Sequence, residues 1–364
     1  TEEEFQKEKK RRYILGVHCS KPIIGSTGCF SFEMIIPDMN ALGKDVLEEQ
    51  FQFLREVIYQ PLLEKDSFVE KELEREKRNV KASMDAAYQN VRSYQSIKMR
   101  EYVDDIGVFS RDLIHHPELL DQIHGDSLYR YYQKTILSNN PIIYVMGNVD
   151  SKKITSLCQK YLYTQERKAY EVPAHLFYFL KPRGKVLEIE ENSSFKDSSF
   201  SFIYKVKDMT KEDILYLSLL KDLLTSLSSH LLSDKLRYEK DLIYSSKVLS
   251  YPHFGVFEIT TYIQSKQVQE VKKALIEVMK DLEKEKIVAP LLENIKKRNK
   301  SNLLRKLDDK YFLFEDFVFK DLGVDDTLEE YYEKVEKITA QDISMFMKRM
   351  ILDTIYFIKE EEHE

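Results

Sequence analysis

The order of apolar and polar residues along the chain is repeated once. In the first half, residues 29–37 alternate as a β-strand does, and apolar residues three and four positions apart follow at 47–58. In the second half, residues 255–262 again read as a strand, and a helical pattern follows at 268–282. The pattern therefore predicts a strand followed by a helix in each half.

The remainder of each half is also repeated. Each continues with a long charged helical region and closes with a helix that runs into a strand. The charged regions are 66–105 and 290–319, and the closing segments are helices at 128–137 and 343–352 followed by strands at 141–147 and 354–358. Phe32 and Phe257 are 225 residues apart, and Val145 and Tyr356 are 211 residues apart. These two offsets indicate that one α+β unit occurs twice.

The second copy begins with strands and a helix that the first copy does not show. Strand patterns at 185–190 and 199–206 precede a helical pattern with regularly spaced leucines at 214–231. Phe200 lies 57 residues before Phe257, so the equivalent strand of the first copy would fall about 25 residues before Thr1. We therefore expect the first domain to lack its opening strand and opening helix in this chain.

Together these patterns predict an α+β fold made of two homologous half-domains. The stretch 170–184 contains Pro173, Pro182 and Gly184, and it is the predicted linker because proline and glycine interrupt regular structure. We place the first domain at 1–172 and the second at 173–364.

Composition argues against several classes of function. The chain has 56 Lys and Arg against 62 Asp and Glu, a net charge of −6, and it therefore lacks the basic excess of a nucleic-acid-binding protein. No apolar run reaches the ~18 residues that cross a bilayer, so no membrane partner is expected. Cys19, Cys29 and Cys158 are an odd count without metal-binding spacing, which fits a reducing cytosol. We expect a cytoplasmic protein.

Common catalytic motifs are absent from the sequence. It contains no G-x-x-x-x-G-K-[ST], G-x-G-x-x-G, G-x-S-x-G or C-x-x-C segment, so nucleotide-binding and common hydrolase sites lack their residues. His115, His116 and His124 lie close together in the sequence, but no two are four residues apart and Pro117 interrupts a helix there. This cluster is interpreted as a solvated loop.

Three short segments nevertheless point to one family. Taken alone, the Glu-rich segment 68–80 is typical of a charged, solvated helix. The resemblance depends on Arg75-Glu76-Lys77 preceded by Phe68, on Asn139-Asn140-Pro141 followed by 145–149, and on Leu232, Leu236, Arg237, Leu242 and Tyr244. In order and spacing, these segments and the duplication resemble the pitrilysin/insulinase family of zinc peptidases, the inverzincins, whose members include mitochondrial processing peptidase.

The resemblance has a consequence for metal binding. In this family an H-x-x-E-H helix and a distal glutamate hold zinc, and that helix belongs to the opening that we expect to be missing here. The family places the distal glutamate seven residues after the one that matches Glu76, and this position is Ser83. A serine hydroxyl is a poor zinc ligand, Ala82 and Met84 cannot ligate, and Asp85 would need a two-residue shift. We expect no metal, no cofactor and no catalytic residue in this chain.

The third segment implies a pair of substrate-binding residues. In the family, the residues that match Arg237 and Tyr244 hydrogen-bond the substrate backbone near the scissile carbonyl. An arginine donates forked N–H groups to a carbonyl, and a phenol donates one O–H to a developing oxyanion. Tyr238 and Asp241 stand where the family usually has Glu and Gly.

The resemblance implies one function and leaves alternatives open. The first hypothesis is a non-catalytic, substrate-orienting subunit of a heterodimeric zinc-dependent peptidase acting on unstructured peptides, with zinc held by a homologous partner that bears H-x-x-E-H. The second is a catalytically dead scaffold, as in core subunits of respiratory complexes, in which Arg237 and Tyr244 would be satisfied locally. A self-sufficient zinc peptidase would need another ligand in place of Ser83. Whether the chain is part of an enzyme stays open, and we expect no activity from the chain alone.

Overall fold

The structure is a computed structural model that describes residues 2–25, 27–105, 107–110, 114, 116–163, 176–225, 231–324 and 326–360. Helices and strands are mixed along the chain, which confirms the α+β fold class. The helices are α1 Glu2–Arg11, α2 Met39–Leu42, α3 Leu47–Tyr59, α4 Glu70–Tyr88, α5 Val91–Val103, α6 Gly125–Tyr132, α7 Ser151–Tyr161, α8 Ile214–Thr225, α9 Leu231–Ser233, α10 Val268–Asp281, α11 Glu285–Leu307, α12 Lys310–Asp321, α13 Leu328–Lys337 and α14 Ala340–Met347. The strands are β1 Gly16–Ser20, β2 Ile23–Ile24, β3 Thr27–Gly28, β4 Ser31–Ile35, β5 Leu63–Glu64, β6 Ser67–Phe68, β7 Leu187–Asn192, β8 Ser198–Val206, β9 Ser245–Tyr251, β10 Val256–Ile263 and β11 Met350–Lys359.

The chain divides into two compact units. The first contains Thr1–Ala82 and His116–Ala174, and the second contains Ser83–His115 and His175–Glu364. Helix α4 continues across the division. The predicted limit at 172/173 and residues 170–175 of the predicted linker lie outside the described residues. The two homologous domains at 1–172 and 173–364 therefore stay a prediction.

In the first unit, the core forms where α3 packs against α7. The buried residues of this core are Leu47, Phe51, Ile154, Leu157, Cys158 and Leu162. The Tyr59 hydroxyl at the end of α3 donates a hydrogen bond to the Leu162 carbonyl at 3.1 Å. Cys158 is a free thiol whose pKa is raised by burial, so it behaves here as a small apolar residue.

Phe68 has a packing role in the same unit. Its ring centroid lies 5.9 Å from those of Tyr129 and Tyr132 on α6, in edge-on geometry. Gly125 begins α6 against β6, and a Cβ at this position would lie 2.7 Å from the Phe68 carbonyl oxygen. The close approach therefore requires glycine at this position.

The predicted strand at 141–147 is wrong. The structure assigns these residues no regular structure, and Ile142, Val145 and Met146 are 39%, 45% and 44% exposed. A strand needs a neighbour for its N–H and C=O groups. The described residues of the first unit form only two-stranded pairings, such as that of β1 with β4, and none of these includes 141–147.

The second unit is built on a five-stranded sheet of order β7-β11-β8-β10-β9. Neighbours are antiparallel except β7 and β11, which are parallel. Four predicted strands are confirmed as β7, β8, β10 and β11, whereas β9 was missed. The helix predicted at 343–352 is too long, because α14 ends at Met347 and Met350 already pairs with Val206 in the sheet. At residues 350–352, pairing with β8 outweighs the spacing of apolar residues that predicted a helix.

Both faces of this sheet are covered, and every residue of β8 and β10 is buried. One face packs against helices α8, α10, α11 and α14, with Leu220 and Leu275 fully buried between them and the sheet. On the other face, Met99 of α5 packs with Ile203 and Tyr356. The sheet is thus the middle layer of three.

Helix α5 is also tied to the sheet by buried polar groups. The Gln95 Nε2 donates hydrogen bonds to the Ser201 Oγ at 2.9 Å and to the Glu258 Oε1 at 3.0 Å. The Thr260 hydroxyl donates to the same Glu258 oxygen at 2.7 Å. Because these groups are shielded from water, their geometry fixes how α5 lies on the strands.

Met99→Ala tests the packing of α5. Met99 is 0% exposed, so its truncation should lower the free energy of unfolding by about 2–5 kcal/mol. Urea unfolding followed by circular dichroism measures the change. Met345, 50% exposed in the same unit, provides the control, since Met345→Ala should change stability by less than about 0.5 kcal/mol. Equal effects of the two substitutions would contradict this packing.

Candidate substrate-binding segment

Residues 231–244 connect α9 to the edge strand β9 and carry the predicted substrate-binding pair. Leu232, Leu236 and Leu242 are 1%, 0% and 6% exposed and anchor the segment in the core. Arg237 is exposed, and Tyr244 is 52% exposed. The leucine frame therefore holds the backbone while the polar pair faces solvent.

Arg237 lies in a π-helical turn, Asp234–Tyr238. The turn is closed by the Glu239 N–H, which donates to the Asp234 carbonyl at 2.8 Å. Such single turns are uncommon and are often found at functional sites. The Arg237 guanidinium carbon lies 5.7 Å from the centroid of the neighbouring Tyr238 ring. Among the described residues, no acidic side chain forms an ion pair with Arg237.

The backbone after the π turn folds back on itself. The Asp241 N–H donates to the Arg237 carbonyl at 3.2 Å, and the Leu242 N–H donates to the Leu236 carbonyl at 2.7 Å. This closure places Asp241 at φ 50°, in the left-handed region. Glycine adopts that region freely and aspartate tolerates it. The left-handed backbone explains why glycine suits the position and why Asp241 can replace it.

Tyr244 precedes β9. Its N–H donates to the Tyr262 carbonyl of β10 at 2.9 Å, which fixes the backbone to the sheet. Its hydroxyl makes no hydrogen bond to any residue that the structure describes. Tyr244 is one of the residues that line a cavity of about 270 Å³, formed by residues 241–244, 264, 266 and 267. A phenol in this position is available to an external acceptor.

Glu76 and Ser83, the two positions by which the resemblance locates the distal zinc ligand, both lie in helix α4. Glu76 is exposed and accepts hydrogen bonds from Arg75 at 2.9 Å and from Asn79 at 3.3 Å. The Arg75 hydrogen bond holds the pKa of the Glu76 carboxyl below its usual value. Ser83, seven residues later and about 10 Å along the helix, is exposed.

The residues around Ser83 do not fit a zinc ion. Ala82 and Ser83 offer no anionic donor, and Met84 is a buried apolar residue at 6% exposure. Within the described ranges, no group of three His, Cys, Asp or Glu side chains could hold a metal. The donor set that the family uses for zinc is therefore not assembled by the residues in view.

His116 and His124 lie in the first unit. The His116 Nδ1 is 3.6 Å from the Glu118 Oε1, and both side chains are exposed. His124 is the N-cap residue of α6. His115 lies outside the described residues.

In the part of the chain that the structure describes, no helix combines the length and the apolar character that crossing a bilayer requires.

Comparisons with known proteins agree with the motifs. Residues 122–299, which include Arg237 and Tyr244, match the family described as "Peptidase M16 inactive domain". The chain is 24% identical over 343 residues to the "Probable inactive metalloprotease YmfF" of Bacillus subtilis (strain 168), covering 92% of this chain and 79% of that protein.

Solved structures show the same fold. A conserved protein from Enterococcus faecalis V583 superimposes with a TM-score of 0.86 at 22% identity, covering 100% of this chain and 86% of that one. A protease from Helicobacter pylori superimposes with a TM-score of 0.73 at 17% identity, covering 98% and 84%. At these identities the structures support the fold alone. The sequence matches confirm the resemblance to the pitrilysin/insulinase-type (M16) metallopeptidases, and they include members described as inactive.

Proposed function

We propose that the chain is the non-catalytic, substrate-orienting subunit of a heterodimeric zinc-dependent peptidase that acts on unstructured peptides. A homologous subunit bearing H-x-x-E-H is the partner and holds the zinc. This chain contributes Arg237 and Tyr244, which bind and orient the peptide backbone. Its similarity to inactive members of the family is consistent with a role outside the chemical step.

The observation that carries the proposal is the state of Arg237 and Tyr244. A scaffold that had lost its chemistry would leave both side chains satisfied locally. Here the Arg237 guanidinium has no ion pair, and the Tyr244 hydroxyl has no hydrogen bond, among the residues described. Both are exposed on a segment that buried leucines hold in place. Two hydrogen-bond donors kept available on a fixed backbone favour binding of an external acceptor.

Each residue has a distinct chemical task. The planar Arg237 guanidinium can donate two parallel N–H groups to a peptide carbonyl, which fixes both the position and the orientation of the backbone. The Tyr244 phenol can donate one O–H to oxygen as negative charge develops on it. Neither task requires this chain to supply a nucleophile or a base.

Arg237→Ala in the reconstituted pair should lower kcat/KM by about 10²-fold, because the donors that orient the substrate are lost. Arg237→Lys should recover little, since an ammonium group cannot form the forked contact. Arg305→Ala, an exposed arginine on α11, is the control and should leave kcat/KM unchanged. Cleavage of a fluorogenic unstructured peptide measures all three. Full activity of Arg237→Ala would remove the proposed role and leave the scaffold hypothesis.

Tyr244→Phe should lower kcat by about 10²-fold with little change in KM, because the hydroxyl interacts with charge that develops only in the transition state. Tyr238→Phe is the matched control. It removes a hydroxyl from a ring that is 69% exposed on the same segment, and activity should be retained. Steady-state kinetics separates kcat from KM. A change in KM alone would mean that Tyr244 binds ground state and transition state equally.

A further inference from the structure

The π turn that carries Arg237 is attached to helix α10 through Lys235. The Lys235 ammonium forms an ion pair with the Asp281 Oδ2, and the Lys284 ammonium donates to the Asp281 Oδ1 at 2.8 Å. Lys235 and Arg237 belong to the same five-residue turn, Asp234–Tyr238. The carboxylate thus fixes the turn from one side while Arg237 is exposed.

Asp281 occupies an unfavourable place for an acidic residue. It is the last residue of α10, where the helix dipole disfavours negative charge. Its side chain is only 11% exposed, so water cannot readily replace a lost partner. The two lysine ammonium groups therefore offset the cost of a carboxylate at this position. The ion pair between Asp281 and Lys235 should persist.

A second ion pair joins residues 231–244 to α10 and differs in its environment. Lys240 and Glu277 are 3.0 Å apart, but their side chains are 43% and 61% exposed. Exposed pairs of this kind are screened by water and salt and restrain little. Residues 231–244 are therefore joined to α10 by one shielded ion pair and one exposed ion pair.

We propose that Asp281 is a positioning residue for Arg237, acting through Lys235 to hold the π turn and thereby the guanidinium where it can meet a peptide carbonyl. Because no described residue forms an ion pair with Arg237, its long side chain takes its position from the backbone that carries it. Leu236, 0% exposed, fixes that backbone in the core, and Asp281 fixes it on the side of α10. This role depends on the proposed function, because it concerns peptide binding by Arg237.

The test combines a structural and a binding measurement on the full chain. Asp281→Asn keeps the shape of the side chain and removes the charge, and Lys235→Met breaks the same pair while leaving Asp281 bound to Lys284. Both should accelerate hydrogen–deuterium exchange of the Asp241 and Leu242 amides by about tenfold. Both should weaken binding of a fluorescein-labelled unstructured peptide, measured by anisotropy, by about tenfold. Glu277→Gln should change neither.

A double-mutant cycle separates positioning from general damage. In an Arg237→Ala background, Asp281→Asn should weaken peptide binding no further, because the residue that it positions is gone. Additive losses, or unchanged exchange in both Asp281→Asn and Lys235→Met, would overturn the positioning role alone. If Arg237→Ala itself leaves binding unchanged, the proposed function fails and the role fails with it, whatever the exchange rates are.

Discussion

The rest of the second unit depends on a sheet that is buried on both faces. Strands β8 and β10 have no exposed residue, so their side chains must match helices above and below. The candidate segment derives its rigidity from this sheet. Leu236 is buried in the same core, and the Tyr244 N–H bonds directly to the Tyr262 carbonyl of β10. The backbone of the segment is therefore attached to the sheet and its core at both of these points.

Sequence patterns predicted the second unit better than the first. Strands such as β10 were recognisable because they are rich in β-branched and aromatic residues. The strand predicted at 141–147 failed because pairing depends on a neighbour that a local pattern cannot reveal. The order of motifs singled out Arg237 and Tyr244 as candidates, but the Lys235–Asp281 pair spans 46 residues and leaves no local signal. The left-handed backbone at Asp241 became clear only from the structure.

Zinc-dependent peptide hydrolysis requires metal ligands and groups that orient the peptide. The described residues differ in how they meet these two requirements. Around Ser83 they form no group of three side chains that could hold a metal, whereas around Arg237 they offer available hydrogen-bond donors on a fixed backbone. An isolated scaffold has no need of the second feature, and a self-sufficient peptidase needs the first. The available donors are what we propose that a subunit uses to orient peptides for a zinc-bearing homologue.

The most direct test of this account is to measure zinc content and cleavage of an unstructured peptide for the purified chain, for an H-x-x-E-H-bearing homologous subunit copurified with it, and for the two together. We predict no stoichiometric zinc and no cleavage from this chain alone, and chelator-sensitive cleavage from the pair at a rate well above that of the partner. Zinc-dependent cleavage by this chain alone would contradict the account, as would a partner whose activity does not depend on this chain.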